Sequence, residues 1–217
     1  MIVGINDFDK ALTFLKYSLH IFDAGLVIVD VNVGYKPTDF NPELHIGFDL
    51  RVRKDYIIGD IEEISMVVKA DTGVKIAFPR GTWLSIVPRS GLSYKTPIRI
   101  PNSPGTVEAS YRNEIGVLLE LRNPSEPPYT IEKGTKVAQA IPCANALRIN
   151  AISKLFLIVP ETFEQEDEYD SLRTLAESED IVVVKMPIPM WGKFWDNWAK
   201  LFSSTRGEAG YGSTGLK

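Results

Sequence analysis

Cysteine is nearly missing from this 217-residue chain, with Cys143 the only one. A lone cysteine cannot form an intramolecular disulfide, and such usage fits a reducing compartment. Histidine is almost as scarce, at His20 and His45 alone. Two histidines and one cysteine cannot assemble the H-x-E and P-C-x-x-C ligand set of the zinc nucleoside deaminases, so that class is excluded. Charge of one sign is lacking too: 24 Lys and Arg against 28 Asp and Glu leave a formal net charge of −4. That gives no sign of a nucleic-acid-binding surface, although cations can still be gathered locally around a phosphate. No apolar run approaches the roughly 20 residues needed to span a bilayer. The start, Met1 to Asp7, lacks a basic segment followed by an apolar stretch, so no signal peptide is expected. Walker A, Rossmann and Ser-His-Asp patterns are absent. What remains is the expectation of a soluble, cytoplasmic protein, an infected host cell included. Its 24% charged and 44% hydrophobic residues are an ordinary balance for one substantial core, with or without an appendage.

The pattern along the chain changes near residue 25. From Phe8 to Phe22, apolar side chains at Ala11, Leu12, Phe14, Leu15, Leu19 and Phe22 keep roughly the helical period, with Asp7 as cap and Asp23-Ala24-Gly25 as stop. Residues 26–33 are rich in β-branched side chains and read as a strand. Short β-type runs follow at 47–52, 64–69, 74–78, 83–87, 98–100, 115–121 and 136–141, separated by Pro, Gly, Asn and Asp. Many short punctuated strands predict a mainly β sandwich or barrel.

Five stretches stand in a telling order. They are Ile46-Gly47-Phe48-Asp49-Leu50, Pro88-Arg89-Ser90-Gly91-Leu92-Ser93, Gly105-Thr106-Val107-Glu108 with Tyr111-Arg112-Asn113-Glu114-Ile115, Gly134-Thr135-Lys136-Val137-Ala138-Gln139, and Arg206-Gly207 with Gly210-Tyr211-Gly212-Ser213-Thr214-Gly215. In order and spacing they resemble the five motifs of the trimeric dUTP pyrophosphatases, which cleave dUTP to dUMP and pyrophosphate. The resemblance runs from about residue 26 to the C-terminus with one interruption. It implies a jelly-roll-like β-barrel assembled as a homotrimer.

It also implies roles. Glu108 takes the place of the aspartate that activates the attacking water; a carboxylate suits a general base, and here it is one methylene longer. Tyr111 matches the aromatic packed under the deoxyribose, where a ring face leaves no room for a 2′-hydroxyl. Thr106 and Val107 are expected among the substrate-binding residues, and backbone groups at Ile115 and Gly116 are expected to meet the uracil edge. Ser110 and Asn113 depart from the family's aspartate and glycine. Arg89, Ser90 and Gly91 look like a phosphate-binding loop, with a forked guanidinium, a hydroxyl and a backbone free to approach. Asn102 matches a residue near the nucleoside, and Gln139 a phosphate contact. Asp49 matches an aspartate that helps hold hydrated Mg²⁺, an ion that keeps its waters. In the C-terminal arm, Tyr211 would stack on uracil while Arg206, Gly212, Ser213 and Thr214 reach the phosphates. Such an arm closes over substrate and excludes water.

Residues 151–204 are the interruption. They hold an apolar run at 155–159, an acidic stretch at 161–170, a β-type run at 181–184, and Trp191, Phe194, Trp195, Trp198, Leu201 and Phe202 on one face of an amphipathic helix. So large an apolar face calls for a cover. Its own barrel, a neighbouring subunit, or a separate partner or membrane surface are the candidates. Packing within the trimer against the N-terminal helix at Phe14, Leu15 and Phe22 is expected, with the 151–204 segment open to a protein partner. The division expected is thus 1–25 helical extension, 26–150 barrel, 151–204 α/β insertion, and 205–217 arm. Neither nucleic acid nor membrane is expected as a partner. Two other readings stay open. A dCTP deaminase of the same superfamily would use Glu120, and a nucleotide-sensing interaction protein would use the scaffold without catalysis.

Overall fold

In the computed structural model, the described residues are 2–4, 6–13, 26–30, 47–59, 66–77, 80–123, 125, 127–145, 155–160, 181–202 and 208–210. They form a mainly β structure of antiparallel sheets with one mixed sheet beside them.

One unit holds the site. Strands β3 (Phe48–Arg51), β12 (Lys136–Ala144), β7 (Thr82–Pro88) and β9 (Gly105–Glu108) make a four-stranded antiparallel sheet in that spatial order. Facing it are β5 (Val67–Asp71), β10 (Gly116–Leu121) and β8 (Ile98–Arg99), with the pair β11 (Tyr129–Ile131) and β4 (Tyr56–Ile58) alongside. On β7 and β10 buried and half-buried residues alternate, as a strand with one face on a core must. Phe48, Leu50, Leu84, Ile86, Val117 and Leu119 meet in that core. Gly134, in the turn before β12, has φ +83°, a conformation that favours glycine. That requirement explains the glycine that opens the fourth motif.

The second unit is a mixed five-stranded sheet in the order β1 (Ile2–Gly4), β14 (Ile181–Met186), β13 (Leu155–Pro160), β2 (Leu26–Asp30) and β6 (Val74–Ala77). The first four strands pair in parallel, and β2 pairs antiparallel with β6. Divisions read along the sequence do not follow these sheets. Strand β2, expected in the barrel, hydrogen-bonds on one side to β6 and on the other to β13 from the interruption, since a parallel partner can come from far along the chain.

The aromatic stripe is covered by its own chain. Helices α2 (Ile188–Asp196) and α3 (Trp198–Leu201) lay Phe194, Trp198 and Phe202 on Ile158, Val184 and Met186 of the mixed sheet. Phe194 and Trp198 are fully buried, and each such side chain contributes about 1.5–3 kcal/mol relative to exposure. Ala11 and Phe8 of the helical residues 8–13 close the cluster, with Phe8 edge-on to Phe194 at 5.8 Å. Asp7 caps that helix as expected, its Oδ1 accepting the Lys10 N–H at 3.0 Å. Phe14, Leu15 and Phe22 lie outside the described residues. The aromatic helix is not continuous as expected: it breaks at Asn197, whose Nδ2 donates to the Lys193 carbonyl at 2.9 Å. Such a side-chain bond competes with the helical ladder. No helix among the described residues is long and apolar enough to cross a membrane.

Candidate active site

Edge strand β9 and the hairpin after it shape a pocket of about 160 Å³. β9 pairs with β7 in the register Trp83↔Glu108, Leu84↔Val107, Ser85↔Thr106 and Ile86↔Gly105. Alternation puts Thr106 and Glu108 on the exposed side and Val107 against the core. Asn102, Thr106, Val107, Glu108, Tyr111, Ile115 and Gly116 all line the pocket, as does Gly210 of the arm. Ile86, Ile100, Val117 and Leu118 complete the wall. Sequence reasoning did not single these four out, since an apolar strand residue beside a pocket looks like any other core residue. Glu120, the residue a deaminase reading would need, does not line it.

Tyr111 is fixed at both ends. Its N–H donates to the Glu108 carbonyl at 2.9 Å, and its hydroxyl donates to the Glu114 carbonyl at 2.9 Å. With the hydroxyl so engaged, the ring's flat surface is what it offers the pocket. A Cβ on Gly210 would lie 2.9 Å from Tyr111 Cε2, so the arm's backbone rests directly on the ring.

The hairpin itself is pinned from below. Glu114 Oε1 accepts the Gly73 N–H at 2.6 Å and pairs with Arg53 Nε at 3.2 Å. Asn113 Oδ1 accepts the Glu114 N–H at 2.7 Å. Buried Arg112 donates through Nη1 to the carbonyls of Ala109 and Tyr111, each at 2.8 Å, and through Nε to the Phe202 carbonyl. Burial pushes its guanidinium below the usual arginine range, and these carbonyl contacts engage its Nε and Nη1 donors. The main chain of Ile115 differs from expectation. Its N–H donates to the Val74 carbonyl at 2.9 Å, and its carbonyl accepts from Thr72 N at 3.3 Å and Thr72 Oγ1 at 2.7 Å. Those groups are spent on the fold, so Ile115 serves the pocket through its buried side chain. Gly116 stands opposite Asp71 in the β10–β5 ladder.

Asp49, Arg89, Ser90, Gly91 and Gln139 do not line the pocket. They gather around the far side of the four-stranded sheet, where Gln139 stands between Asp49 on β3 and Val87 on β7. Arg89 Nε donates to Asp49 Oδ1 at 2.7 Å, and Lys136 Nζ reaches Asp49 Oδ2 at 2.8 Å. Lys136 lay within a recognised motif but carried no expected role. The loop expected at Ser90-Gly91 is instead the first turn of a short helix, α1 (Ser90–Lys95), with Arg89 as its N-cap residue. The Ser93 and Thr96 N–H groups bond back to the Arg89 and Leu92 carbonyls. Gly91 faces open space, with nothing within 4 Å of an added Cβ.

Asp49, expected to hold hydrated Mg²⁺ through water, has each carboxylate oxygen already meeting a cation, Arg89 on Oδ1 and Lys136 on Oδ2. Among the described residues no three of His, Cys, Asp and Glu gather to hold a metal. Arg206, Tyr211, Gly212, Ser213 and Thr214 lie outside the described residues.

Comparison with known proteins bears on this geometry. Over 95 residues the chain is 39% identical to the deoxyuridine 5′-triphosphate nucleotidohydrolase of Clostridium tetani, covering 44% of this chain and 61% of that protein. It is 44% identical over 70 residues to the protein of the same name from Picosynechococcus, covering 32% of this chain and 48% of that one. The chain thus spans about half to three fifths of these curated relatives. Among solved structures, a mutant dUTPase from phage phi11 of S. aureus is similar at 19% identity and TM-score 0.46, over 55% of this chain and 90% of that one. The native EIAV dUTPase is similar at 23% identity and TM-score 0.44, over 56% and 89%. The family described as dUTPase matches residues 38–155, more than half of the sequence and all but the last of the five motifs, and to that family the chain belongs.

Proposed function

We propose that this protein hydrolyses dUTP to dUMP and pyrophosphate, which limits uracil incorporation into DNA and supplies dUMP. The observation that supports this most is the convergence of Asn102, Thr106, Glu108, Tyr111 and Gly116 on one small pocket in a chain of the dUTPase family. A water held by the Glu108 carboxylate attacks the α-phosphorus. As the new P–O bond forms, the water's proton passes to Glu108. The bond from the α-phosphorus to the α,β-bridging oxygen breaks, and pyrophosphate carries away the electron pair. Glu108 stands at the exposed end of β9, where the extra methylene has room to adjust its oxygens. The Tyr111 ring selects a 2′-deoxyribose by shape.

Phosphate recognition by Arg89, Ser90, Gly91 and Gln139 belongs to the same proposal. In the sheet register Gln139 lies opposite Val87 and Glu108 opposite Trp83. That separates them by two strand spacings and four residues, roughly 16 Å, more than one triphosphate bridges. A homotrimer of jelly-roll-like barrels resolves the distance if the phosphate cluster of one subunit faces the pocket of the next. Asp49 then serves as the carboxylate that orients Arg89 and Lys136. A Mg²⁺ ion arriving with the triphosphate would be held mainly by phosphate oxygens and water. Arg206, Tyr211, Gly212, Ser213 and Thr214 complete the closed site.

Pyrophosphate release tests the proposal directly. With Mg²⁺ present, dUTP should be cleaved and UTP, dTTP and dCTP hardly at all. Comparable cleavage of UTP would remove the role given to Tyr111, and ammonia released from dCTP would replace the reaction with a deamination.

A further inference from the structure

Different parts of the molecule carry different walls of the pocket. Glu108 stands on β9, which is laddered to β7 in the four-stranded sheet. Tyr111 and Ile115, which also line the pocket, sit in the hairpin that follows. That hairpin is tied at both ends to the mixed-sheet unit. On the Tyr111 side, buried Arg112 holds the Ala109 and Tyr111 carbonyls with Nη1, and with Nε the Phe202 carbonyl at the end of α3. On the Ile115 side, the Ile115 N–H donates to the Val74 carbonyl of β6, the strand that pairs with β2 in the mixed sheet. The next residue of β6, Lys75, is buried and donates through Nζ to the Trp195 carbonyl of α2 at 3.2 Å. Its ammonium lies 4.4 Å from the centre of the Trp195 ring, a favourable place for a cation. Taking an ammonium out of water is costly, and an apolar side chain would fill the same space. What the charge adds is direction, since it fixes where the α2 backbone stands against β6.

We propose that Arg112 and Lys75 are positioning residues, through which the mixed sheet and its aromatic helices set the nucleoside wall of the pocket while the four-stranded sheet sets the carboxylate. The identity of the ligand rests on the dUTP reading; the bracing does not. Helices α2 and α3 then have a use in selectivity. A ring excludes a 2′-hydroxyl only while it cannot retreat. Tyr111 has its backbone carbonyl held by Arg112 and its hydroxyl held by the Glu114 carbonyl. Loosening either brace lets this wall give without moving Glu108. The effect therefore falls on binding and on the choice of sugar rather than on the chemical step.

Hydrogen exchange and kinetics on the full chain test it together. Lys75→Met keeps the length of the side chain and removes the charge and the donor. Arg112→Lys keeps the charge and loses the fork that spans three carbonyls. In each variant, amide exchange should quicken at 109–115 and stay as in the unaltered protein at 105–108 and along β3, β7 and β12. Unchanged exchange at 109–115 would overturn the proposal. So would a rise spread over the whole chain, which is what plain loss of stability produces. KM for dUTP should rise about 3–10-fold, the weight of one hydrogen bond, with kcat little changed. The preference for dUTP over UTP, as a ratio of kcat/KM values, should fall by a similar factor. A fall in kcat at constant KM would overturn the division between the two walls. Each variant releases a different end of the hairpin, so one that does not fold leaves the other to decide. If the unaltered protein releases no pyrophosphate from dUTP, the functional reading fails while the exchange pattern still decides the bracing.

Discussion

In the proposed reaction Glu108 joins an ordinary strand position to an unusual demand, since a single carboxylate would both hold a water and take its proton. Glu108→Gln keeps the shape and removes the acceptor. Pyrophosphate release should fall by about 10²–10⁴-fold, while dUTP binding measured by calorimetry stays largely intact. A near-normal kcat would assign the proton to another group. A second residue-scale effect concerns Tyr56, whose hydroxyl accepts the Asp71 N–H at 2.7 Å. Burial raises its pKa above the ordinary value of 10.0, so between those two values the folded state keeps a proton that the unfolded chain releases. Its contribution is fully present below pH 10 and is lost as pH rises through the folded value. Urea titrations at neutral and strongly alkaline pH should show a smaller alkaline loss in Tyr56→Phe. The same variant should be about 1 kcal/mol weaker at neutral pH, from the N–H left without its acceptor. An unchanged alkaline slope would remove Tyr56 from that titration.

The aromatic helices concentrate stability in few side chains. Trp198 is fully buried, 4.4 Å from Phe202 and 5.7 Å from Phe194 between ring centres. Among the described residues its Nε1–H finds no acceptor. Trp198→Ala should cost about 3–5 kcal/mol through lost burial and the cavity left behind, read from urea midpoints. It should also raise KM for dUTP, because Phe202 would lose the packing that presents its carbonyl to Arg112. A full-strength fold with unchanged KM would detach the helix from the site. The helix was readable from its apolar period, but the break at Asn197 was not, because a side-chain amide bonding one turn back leaves no periodic trace. Strands with regular alternation, such as β7 and β10, were equally plain. The three-residue strands at Tyr56 and Tyr129 were too short to show a period, and the turn of helix at Ser90 was hidden by the flanking Pro88 and Gly91. That the hairpin residues would share one pocket was legible through the motif resemblance of 105–115. The commitment of the Ile115 main chain to Thr72 and Val74 was not, since hydrogen bonds between distant backbone groups depend on neither residue's side chain.

At the scale of the molecule, the pocket proposed for the nucleoside and the cluster proposed for the phosphates do not meet within one chain. Sedimentation equilibrium at micromolar concentration should therefore give three times the chain mass, and activity should fall on dilution below the assembly threshold. A protein that stays monomeric yet hydrolyses dUTP fully would refute the shared site. The interleaved mixed sheet carries a different consequence, one of timing. Strand β2 takes β13 as its parallel partner, yet β13 emerges from the ribosome about 130 residues later, a wait of roughly 6–26 s at ordinary elongation rates. During synthesis the apolar Leu26–Val29 edge has only β6 to lean on. The nascent protein is thus most open to misassembly and to chaperone capture well before its C-terminal residues have been made.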